Sequence, residues 1–366
     1  MPRKPRLICV QTVYDHWSAH SGYHQYLKHL GDDFKIEHVR VENGSPDSFR
    51  SEREQRFCER CYDRRMTVQA TMNNIVAEVE LFRRILKHFF WGGRLIVHFL
   101  DGEYGYNWFG RMRARIPFAG DLISLAASYH QPPGQLASVM RFPERLRDLD
   151  MIFTVGSSQA DYFDYGIRPR VRLVPHGVDT DFFTPGARRL DGDEFVCVIV
   201  GFWLRDVAAL NKVVHASPEY MRFRVVANAR HLGELEPHPR LEVLSGISDD
   251  ELLAVYRNAD AGIMPLVDTT ANNAVLEMMA CGLPIVTTDV GSIRDYVSDD
   301  SAVIVERNDA GLLLDALVRL RNDSGMRYRM SESVRRRACE LGWARVALRM
   351  REAYEVMLRS KRTGKG

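Results

Sequence analysis

The stretch "AGIMPLVDTTANNAVLEMMACGLPIVTT", residues 261–288, contains the pattern of a complete strand–helix–strand unit. The short apolar run 261–266 predicts a strand, and the loop "VDTT" leads into a helical pattern over residues 270–280. Gly282 stops this helix, and the β-branched run 283–288 predicts the next strand. A strand, a helix and a strand in this order indicate a parallel α/β sheet.

The same alternation continues on both sides of this unit. Short β-branched runs between longer amphipathic segments predict twelve strands, at residues 6–13, 35–41, 94–100, 122–130, 151–156, 172–177, 195–201, 223–228, 241–246, 261–266, 283–288 and 302–306. Between the two halves, residues 182–195 are rich in proline, glycine and charge, which is typical of a linker. We therefore predict an α/β fold with domains at 1–184 and 185–340, followed at 341–366 by a helix with one buried face and a basic tail.

Length and composition favour a globular protein of two domains. A chain of 366 residues is too long for one ordinary core. Fifty basic residues nearly balance forty-eight acidic ones, which argues against a nucleic-acid binder dominated by its charge. The longest apolar run, 195–204, is about half the length of a membrane span, and the N-terminus lacks the apolar region of a signal peptide. We therefore expect a cytoplasmic protein.

The cysteines do not indicate a metal site. Four of the six fall inside predicted strands or helices, where reduced cysteine packs as a small apolar residue. The other two, Cys58 and Cys61, form a CxxC pair in the charged helical stretch "RFCERCYDRR", with no second pair. This context favours two ordinary helix positions, so we predict no metal.

Functional residues are expected directly after strands. Parallel α/β sheets bind ligands at the carboxyl ends of their strands, and two such sheets facing one another would leave an interdomain cleft there. The residues in this position include His98, His130, Ser157, His176, Gly201 and Thr269.

Glu277 interrupts an otherwise apolar helix pattern. It lies four residues after Asn273, so both side chains share one face of the predicted helix. The N-terminus of this helix, capped by Thr269 or Thr270, would suit a diphosphate, and the carboxylate could accept from the hydroxyls of a ribose. Spacing alone fits a solvated surface glutamate equally well.

The ordered motifs of this chain resemble a known family along nearly its whole length. The most diagnostic is "LEMMACGLPIVTTDVGS" (276–292); the others are "HSGYHQYL", "SYHQPP", "DMIFTVGSSQADYF", "VRLVPHGVDTDFFTP", "ISDDELLAVYRNADAGIMPL" and "GWARVALRMREAYEVML". Single motifs are weak signals, but this ordered set resembles the retaining GT-B glycosyltransferases of family four, also called group 1.

The resemblance implies a GT-B fold of two Rossmann-like domains. The second would hold a nucleoside-diphosphate sugar, with UDP or GDP, and the first a sugar, lipid-linked or small-molecule acceptor. The final helix would cross back to the first domain. The implied reaction transfers the sugar to an acceptor hydroxyl with retention and without a metal or other cofactor, in polysaccharide, glycolipid or glycoconjugate biosynthesis.

Four residues match functional positions of the family. Glu277 matches the ribose-binding glutamate, and His130 matches the histidine that contacts the donor sugar near the reacting carbon. Gly22 matches the turn that approaches the diphosphate, where a missing side chain lets the backbone come close. Ile247, in the loop that receives the nucleobase, would cover the base.

The chain also departs from the family pattern. Thr269 stands where another glutamate is usual, with Asp268 beside it. Phe202 and Val207 stand where an arginine and a lysine usually neutralise the diphosphate, and neither side chain can do so.

Three residues are candidate substitutes for these missing groups. Arg205 lies on the same loop and could clamp phosphate oxygens, although an ion pair with Asp206 would explain it as well. Asn272 and Asn273 could bind hydroxyls of the donor sugar, and helix capping is the alternative.

Aromatic residues are the candidates for the acceptor side. Tyr104, Tyr106 and Trp108 could stack against sugar rings or pack the domain, and His98 is a second choice to His130. His176 is interpreted as structural, as is Asp179, which would cap a turn. The segment 76–93 joins aromatic and basic residues and could contact membrane lipid, or pack on its own sheet with the basic face solvated.

Three other interpretations compete with a transferase. A nicotinamide dehydrogenase is disfavoured because no GxGxxG follows a predicted strand. A sugar-nucleotide epimerase would share the architecture. A degenerate GT-B domain that binds a nucleotide sugar, glycan or partner without catalysis remains open, because the usual glutamate and basic pair are missing.

Overall fold

Two parallel sheets dominate the computed structural model of this chain. It describes residues 4–13, 19–42, 68–91, 93–106, 108–116, 119–140, 143–163, 170–187, 192–228 and 234–363. Cys58 and Cys61 lie outside these residues. The described cysteines are unpaired, and Cys9, Cys197 and Cys281 are buried as expected for apolar packing.

All twelve predicted strands are present, and the α/β fold class is confirmed. The first sheet has the order β2-β1-β3-β4-β5-β6, with strands Arg6–Val13, Lys35–Glu42, Leu95–Phe99, Ile123–Tyr129, Met151–Thr154 and Arg170–Leu173 for β1 to β6. The second has the order β12-β11-β10-β7-β8-β9, with strands Phe195–Val200, Met221–Val226, Leu241–Leu244, Ala261–Met264, Ile285–Thr288 and Ala302–Val305 for β7 to β12. Every neighbouring pair is parallel, as successive strand–helix units require.

The chain divides into two compact units, each built around one sheet. Unit 1 comprises Met1–Trp17, Gly22–Pro175 and Val346–Gly366, and unit 2 comprises Ser18–Ser21 and His176–Arg345. The changeover at Pro175 precedes the linker expected at 182–195, because Val178 and Phe183 already pack in the core of unit 2.

The described helices of unit 1 that precede the second sheet pack mainly on one face of the first sheet. They are α1 (Val68–Trp91), α2 (Gly102–Gly105), α3 (Phe109–Arg115), α4 (Ala119–Leu122), α5 (Pro133–Val139) and α6 (Ala160–Phe163), with short 3₁₀ segments at Tyr23–His29, Gly31–Asp33, Pro143–Asp148 and Ser157–Gln159. On one face, Leu81 and Ile85 of α1 pack against Ile8 and Val10 of β1. Alternate residues of β1 point the other way, so Cys9 meets Tyr26 instead.

Residues 346–363 of the closing helix belong to unit 1, and a buried polar network anchors them there. The hydroxyl of Tyr354 lies 2.6 Å from His98 Nδ1 and 2.7 Å from the hydroxyl of Tyr26. His98 Nε2 lies 2.8 Å from Ser128 Oγ. His98 is 0% exposed, and burial lowers its pKa to about 3. The structure therefore contradicts a site role for His98, which packs the helix onto its sheet.

Unit 2 is wound on both sides of its sheet. Its described helices are α7 (Val207–Ala216), α8 (Asp249–Arg257), α9 (Asn273–Ala280), α10 (Ala310–Asn322), α11 (Ser324–Glu340) and the start of α12 (Trp343–Thr363), with a 3₁₀ turn at Ile293–Asp295. Helices α8, α9 and α11 pack in one core, and α7 and α10 in the other. The chain runs outward from β7 to β9 and then crosses to β10 on the other side of β7. Such a reversal leaves a crevice at the carboxyl ends of β7 and β10, where open α/β sheets bind ligands.

No described helix is both long and apolar enough to cross a membrane.

Candidate functional site

Two loops meet at the strand reversal of unit 2, and backbone hydrogen bonds join them. The amide of Asp206 donates to the carbonyl of Pro265 at 2.8 Å, and the amide of Val267 donates to that of Leu204 at 3.0 Å. Leu204 has φ +55°, the one positive value for a non-glycine residue in the described ranges. This strained conformation is held by the hydrogen bonds around it, so the loop after β7 has a fixed shape.

Arg205 places a positive charge in this loop. Its Nη1 donates to the carbonyl of Trp203 at 2.8 Å, and its Nη2 donates to the carbonyl of Val200 and to Asn272 Oδ1, both at 3.2 Å. All three acceptors are neutral, and no carboxylate of a described residue forms an ion pair with the guanidinium. Burial lowers the pKa of Arg205 to about 10, so the group stays charged at neutral pH. A charge held only by neutral groups is suited to an anionic ligand.

The alternative explanation of Arg205, an ion pair with Asp206, is wrong. The carboxylate of Asp206 turns toward α7 and accepts from the amide of Ala209 at 2.8 Å. Asp206 is thus the N-cap of α7, as its position before the helix favours.

Helix α9 begins later than predicted, and its cap is neither Thr269 nor Thr270. The amide of Ser292 donates to the carbonyl of Thr269 at 2.8 Å, which holds that residue in a loop. The N-cap is Asn272, whose Oδ1 accepts from the amide of Val275 at 3.3 Å and also from Arg205. Asn272 therefore caps the helix and positions the guanidinium. The side chain of Asp268 accepts a hydrogen bond from the amide of Thr269, so residues of this loop hydrogen-bond to one another.

Glu277 lies one helical turn beyond Asn273. It is 8% exposed, and its Oε2 accepts from the hydroxyl of Tyr256 at 2.8 Å. No described residue hydrogen-bonds to its Oε1. Burial raises the pKa of Glu277 to about 7, although the hydrogen bond from Tyr256 acts in the opposite direction. The carboxylate is therefore preorganised by one partner and keeps one oxygen for a ligand.

A small cavity opens beside this carboxylate, entirely within unit 2. Its lining consists of His20, Ser21, His176, Gly177, Val178, Phe183, Asn273, Leu276, Glu277 and Trp343. Asn273 and Glu277 both face it, which confirms that they share one side of the helix. His176, expected to be structural, also contributes to this lining.

His20 is a residue that the sequence did not single out. Its Nδ1 lies 2.8 Å from Asp179 Oδ2, and its ring stacks on Phe182 with a centroid distance of 3.6 Å and an interplanar angle of 8°. Asp179 also accepts from the amide of Phe182 at 3.0 Å, which confirms its capping role. Burial acts to raise the pKa of Asp179, but the bonds from His20 and the backbone lower it overall. The only sequence signal was the position of His20 just before the glycine turn.

In unit 1, His130 lies directly after β4, as predicted. Its Nε2 lies 2.7 Å from the carbonyl oxygen of Leu100, so this nitrogen carries the proton and donates. The ring meets Tyr23 edge-on, with centroids 4.9 Å apart. Its amide donates to Glu103 Oε1 at 3.0 Å, and burial raises the pKa of Glu103. The orientation of the imidazole is thus fixed by the protein.

Gly22 and Ile247 occupy conformations compatible with their expected roles. Gly22 has φ +98°, a backbone conformation that other residues rarely adopt. Ile247 is half-buried against the core of unit 2, directly before Ser248, the N-cap of α8.

The aromatic loop of unit 1 is only partly available to a ligand. Tyr106 is 5% exposed and donates to the carbonyl of Arg145 at 3.2 Å, so it packs the domain and does not stack on sugars. Trp108 is half-buried, and its amide donates to Glu78. Tyr104 remains exposed.

Comparison with known proteins bears out the family resemblance. Residues 202–323, which include Arg205 and Glu277, match the family model described as "Glycosyl transferases group 1". These residues are similar to the group 1 glycosyltransferases. The match covers both loops of the strand reversal and helix α9.

Individual relatives extend the likeness to more of the chain. A D-inositol 3-phosphate glycosyltransferase from Salinispora arenicola is 28% identical over 301 residues, 70% of this chain and 67% of that protein. The chain spans about half to two thirds of the length of the curated relatives it matches, from 51% to 67%.

Solved structures confirm the two-domain GT-B fold. A sucrose-phosphate synthase from Thermosynechococcus elongatus superposes with a TM-score of 0.71 at 16% identity, over 97% of this chain and all of that one. The Anabaena protein Alr3699/HepE, solved with UDP and glucose, gives 0.63 at 10% identity, over 94% and 99% of the two chains. At such identities the likeness concerns the fold alone.

Proposed function

We propose that this protein is a retaining glycosyltransferase that moves a sugar from a nucleoside diphosphate to an acceptor hydroxyl, in the synthesis of a polysaccharide, glycolipid or other glycoconjugate. The observation that carries the proposal is the charge of Arg205. It lies at the strand reversal without a carboxylate partner and is tied to the helix that carries Glu277. The glycosyltransferase and mannosyltransferase activities of the relatives, and the UDP bound in a structural neighbour, support the same conclusion.

The donor would bind along helix α9. Arg205 and the first amides of α9 face the charge of the diphosphate, and the capping side chain of that helix, Asn272, is neutral. The N-terminus of α7 is less suitable, because the carboxylate of Asp206 already occupies it. Further along α9, the Oε1 of Glu277 accepts from the ribose hydroxyls, and Ile247 covers the base.

The reaction follows from this binding mode. The bond between the anomeric carbon and the diphosphate oxygen breaks, and Arg205 stabilises the charge that grows on the departing phosphate. A phosphate oxygen takes the proton of the acceptor hydroxyl, whose oxygen forms the new bond on the same face of the sugar. His130 holds the donor sugar. Asp268, Thr269, Thr270 and Asn273 lie at the N-terminal end of α9, where they would hydrogen-bond to the hydroxyls of that sugar. No step in this scheme uses a metal ion.

Thermal unfolding with a panel of nucleotide sugars tests the donor, because a ligand that binds the folded state raises the melting temperature. Turnover of the stabilising donor on mixed acceptors, with and without a chelator, then tests transfer and metal independence, and the anomeric configuration of the product tests retention. Stabilisation without turnover would support the non-catalytic alternative, which the residues Thr269, Phe202 and Val207 make relevant. An isomerised donor sugar would instead identify an epimerase.

The outer face of α1 supports a further part of this proposal, a peripheral contact with anionic membrane lipid near the acceptor domain. Val76, Val79 and Leu86 are exposed there beside the exposed Arg83 and Lys87, while the opposite face packs on the sheet. Apolar side chains flanked by cations are typical of interfacial helices.

We expect the protein to sediment with vesicles of phosphatidylglycerol and not of phosphatidylcholine, and L86S/V79S to abolish this association. Equal sedimentation of the variant and the parent would exclude α1 as the contact.

A further inference from the structure

A second cavity lies in unit 2, at the amino edge of the sheet, away from the loops after β7 and β10. Its lining consists of Pro185, Gly186, Ala187, Tyr256, Arg257, Ala259, Asp260, Cys281, Gly282, Leu283, Pro284, Arg327, Tyr328 and Ser331. Asp260 directly precedes β10, and Pro284 directly precedes β11. The cavity volume is about 70 Å³, against about 10 Å³ for the cavity beside Glu277. The donor site proposed above does not use it.

The charge of this cavity is positive. The Nε of Arg257 donates to the carbonyl of Thr184 at 2.9 Å and its Nη2 donates to the hydroxyl of the same residue. Within the described ranges, Nη1 has no hydrogen-bond partner and the guanidinium has no ion pair. Arg327 adds a second guanidinium, whose Nη1 donates to the carbonyl of Leu320 at 2.8 Å. Among the described residues of the lining, the one carboxylate is that of Asp260, which accepts from the amide of Val196 at 2.8 Å.

The remaining lining indicates which anion would fit. Pro185, Leu283 and Pro284 form an apolar wall, and Tyr328 on α11 is 50% exposed. An aromatic ring and an apolar wall suit the carbon face of a sugar, and guanidinium groups suit a phosphate. The combination favours a sugar phosphate over a bare anion or an uncharged sugar.

Tyr256 is common to this cavity and to the proposed donor site. Tyr256 is one of the lining residues of the cavity, and its hydroxyl donates to Glu277 Oε2 at 2.8 Å. The ring is 1% exposed and packs edge-on against Phe183. A ligand that contacts the ring would therefore hold the hydroxyl in the position that orients the carboxylate.

We propose that the amino-edge cavity binds a sugar phosphate and that its occupancy raises the affinity for the nucleotide donor through Tyr256. Binding of the sugar phosphate stands on the cavity alone, whereas the coupling also rests on the proposed function of Glu277. Coupling between two binding sites is reciprocal, so the donor nucleotide must raise the affinity for the sugar phosphate by the same factor.

Calorimetry with ribose 5-phosphate, in the absence of nucleotide, tests the site itself. We expect R257M to weaken binding of ribose 5-phosphate about tenfold or more, the usual effect of losing a charged hydrogen bond, while R205M leaves it unchanged. For the nucleoside diphosphate we expect the reverse: R205M should weaken binding, and R257M should leave it unchanged. Y328A, at an exposed position, should weaken ribose 5-phosphate but not inorganic phosphate, and ribose itself should not bind. Unchanged affinity for ribose 5-phosphate in both R257M and Y328A would overturn the site.

The coupling is tested by measuring nucleotide affinity with and without saturating ribose 5-phosphate. In the parent protein we expect several-fold tighter nucleotide binding in its presence. Y256F should still bind both ligands but lose the difference. If the parent shows no difference, or if Y256F retains it, the coupling through Tyr256 is wrong even where nucleotide binding itself is established.

Discussion

At the scale of single residues, Arg205 and Glu277 carry opposite and unusual electrostatic states. Arg205 holds a charge without a carboxylate partner, and Glu277 holds a carboxyl group in a site that favours its neutral form. Each group is poorly compensated by the protein alone. A nucleoside diphosphate would compensate both, since its phosphates meet the cation and its ribose hydroxyls donate to the carboxylate.

Replacing Arg205 with methionine keeps much of the side-chain volume and removes the charge. We expect the affinity for the matching nucleoside diphosphate to fall about tenfold to a hundredfold, because charged hydrogen bonds to phosphate are lost. Affinity for the nucleoside without phosphates should stay the same. Arg222, a partly exposed arginine paired with Glu194, provides the control: R222M should bind the nucleotide as the parent does. An equal loss for nucleoside and nucleotide would rule out a phosphate role for Arg205.

Replacing Glu277 with glutamine tests the carboxyl group through pH. The folded-state pKa of about 7 lies above the usual value of 4.5, so the free energy of unfolding falls as pH rises from 4.5 to 7, and the full cost of the buried carboxylate is present above pH 7. E277Q removes this cost and should be more stable than the parent at pH 8, by on the order of 2 to 3 kcal/mol, and not below pH 4.5.

The same substitution should remove most nucleotide affinity. In the parent protein this affinity should rise with pH through about 7, as the carboxylate forms, and in E277Q it should not. Calorimetry from pH 6 to 8 measures both trends. A parent affinity that is flat over this range would show that the ionised form of Glu277 does not bind the ribose.

At the scale of elements, the start of α9 shows what sequence could and could not predict. The strands could be predicted because β-branched runs between turn residues reflect the local preference of these residues for extended backbone. The first residue of α9 was missed because a hydrogen bond from Ser292 holds Thr269 outside the helix, and such a distant partner leaves no local pattern. The tie between Arg205 and Asn272 was missed for the same reason, since the two residues lie far apart in sequence.

Asn272 offers a test of the helix start as a unit. N272A removes both the cap and the support of Arg205, so we expect a loss of about 1 kcal/mol in stability together with weaker nucleotide binding. D309A removes the equivalent cap of α10, where Asp309 accepts from the amide of Leu312 at 3.1 Å. It should cost similar stability with no change in nucleotide affinity.

N272D is the sharper variant. Aspartate keeps the cap and gives Arg205 a carboxylate partner, so stability should be kept or improved while diphosphate affinity falls. Urea unfolding and calorimetry separate the two effects. If N272D binds the diphosphate as tightly as the parent does, the absence of a carboxylate partner is not what makes Arg205 bind phosphate.

At the scale of the whole molecule, three distant parts of the chain meet at His98. Tyr26, His98 and Tyr354 form one buried network, and only the fold brings them together. From sequence, a histidine at the end of a strand was an equally good ligand for a substrate. The burial of His98 in the structure decides between a ligand-binding and a packing role. The sequence pattern does not reveal this burial, because a strand buried on both faces shows no alternation of polar and apolar residues.

The network predicts an acid-sensitive unit 1. The folded-state pKa of His98, about 3, lies below the usual value of 6.5, so its contribution to stability is complete above pH 6.5 and is lost as pH falls toward 3. In H98Q the dependence of the unfolding free energy on pH should decrease by up to about 1.4 kcal/mol per pH unit in this window. Denaturant titrations between pH 6.5 and 4 measure the slope. Identical slopes would place the acid sensitivity elsewhere.

The division of the chain into units has a consequence for synthesis on the ribosome. Unit 1 starts first but includes residues 346–366, whereas unit 2 is complete once Arg345 has emerged. Until Tyr354 is synthesised, the nascent first sheet exposes the apolar surface that α12 later covers, and His98 Nδ1 lacks the hydroxyl of Tyr354. Unit 2, although most of it is translated later, should therefore reach its native state before unit 1. The interval in which the nascent chain depends on chaperones should belong to unit 1.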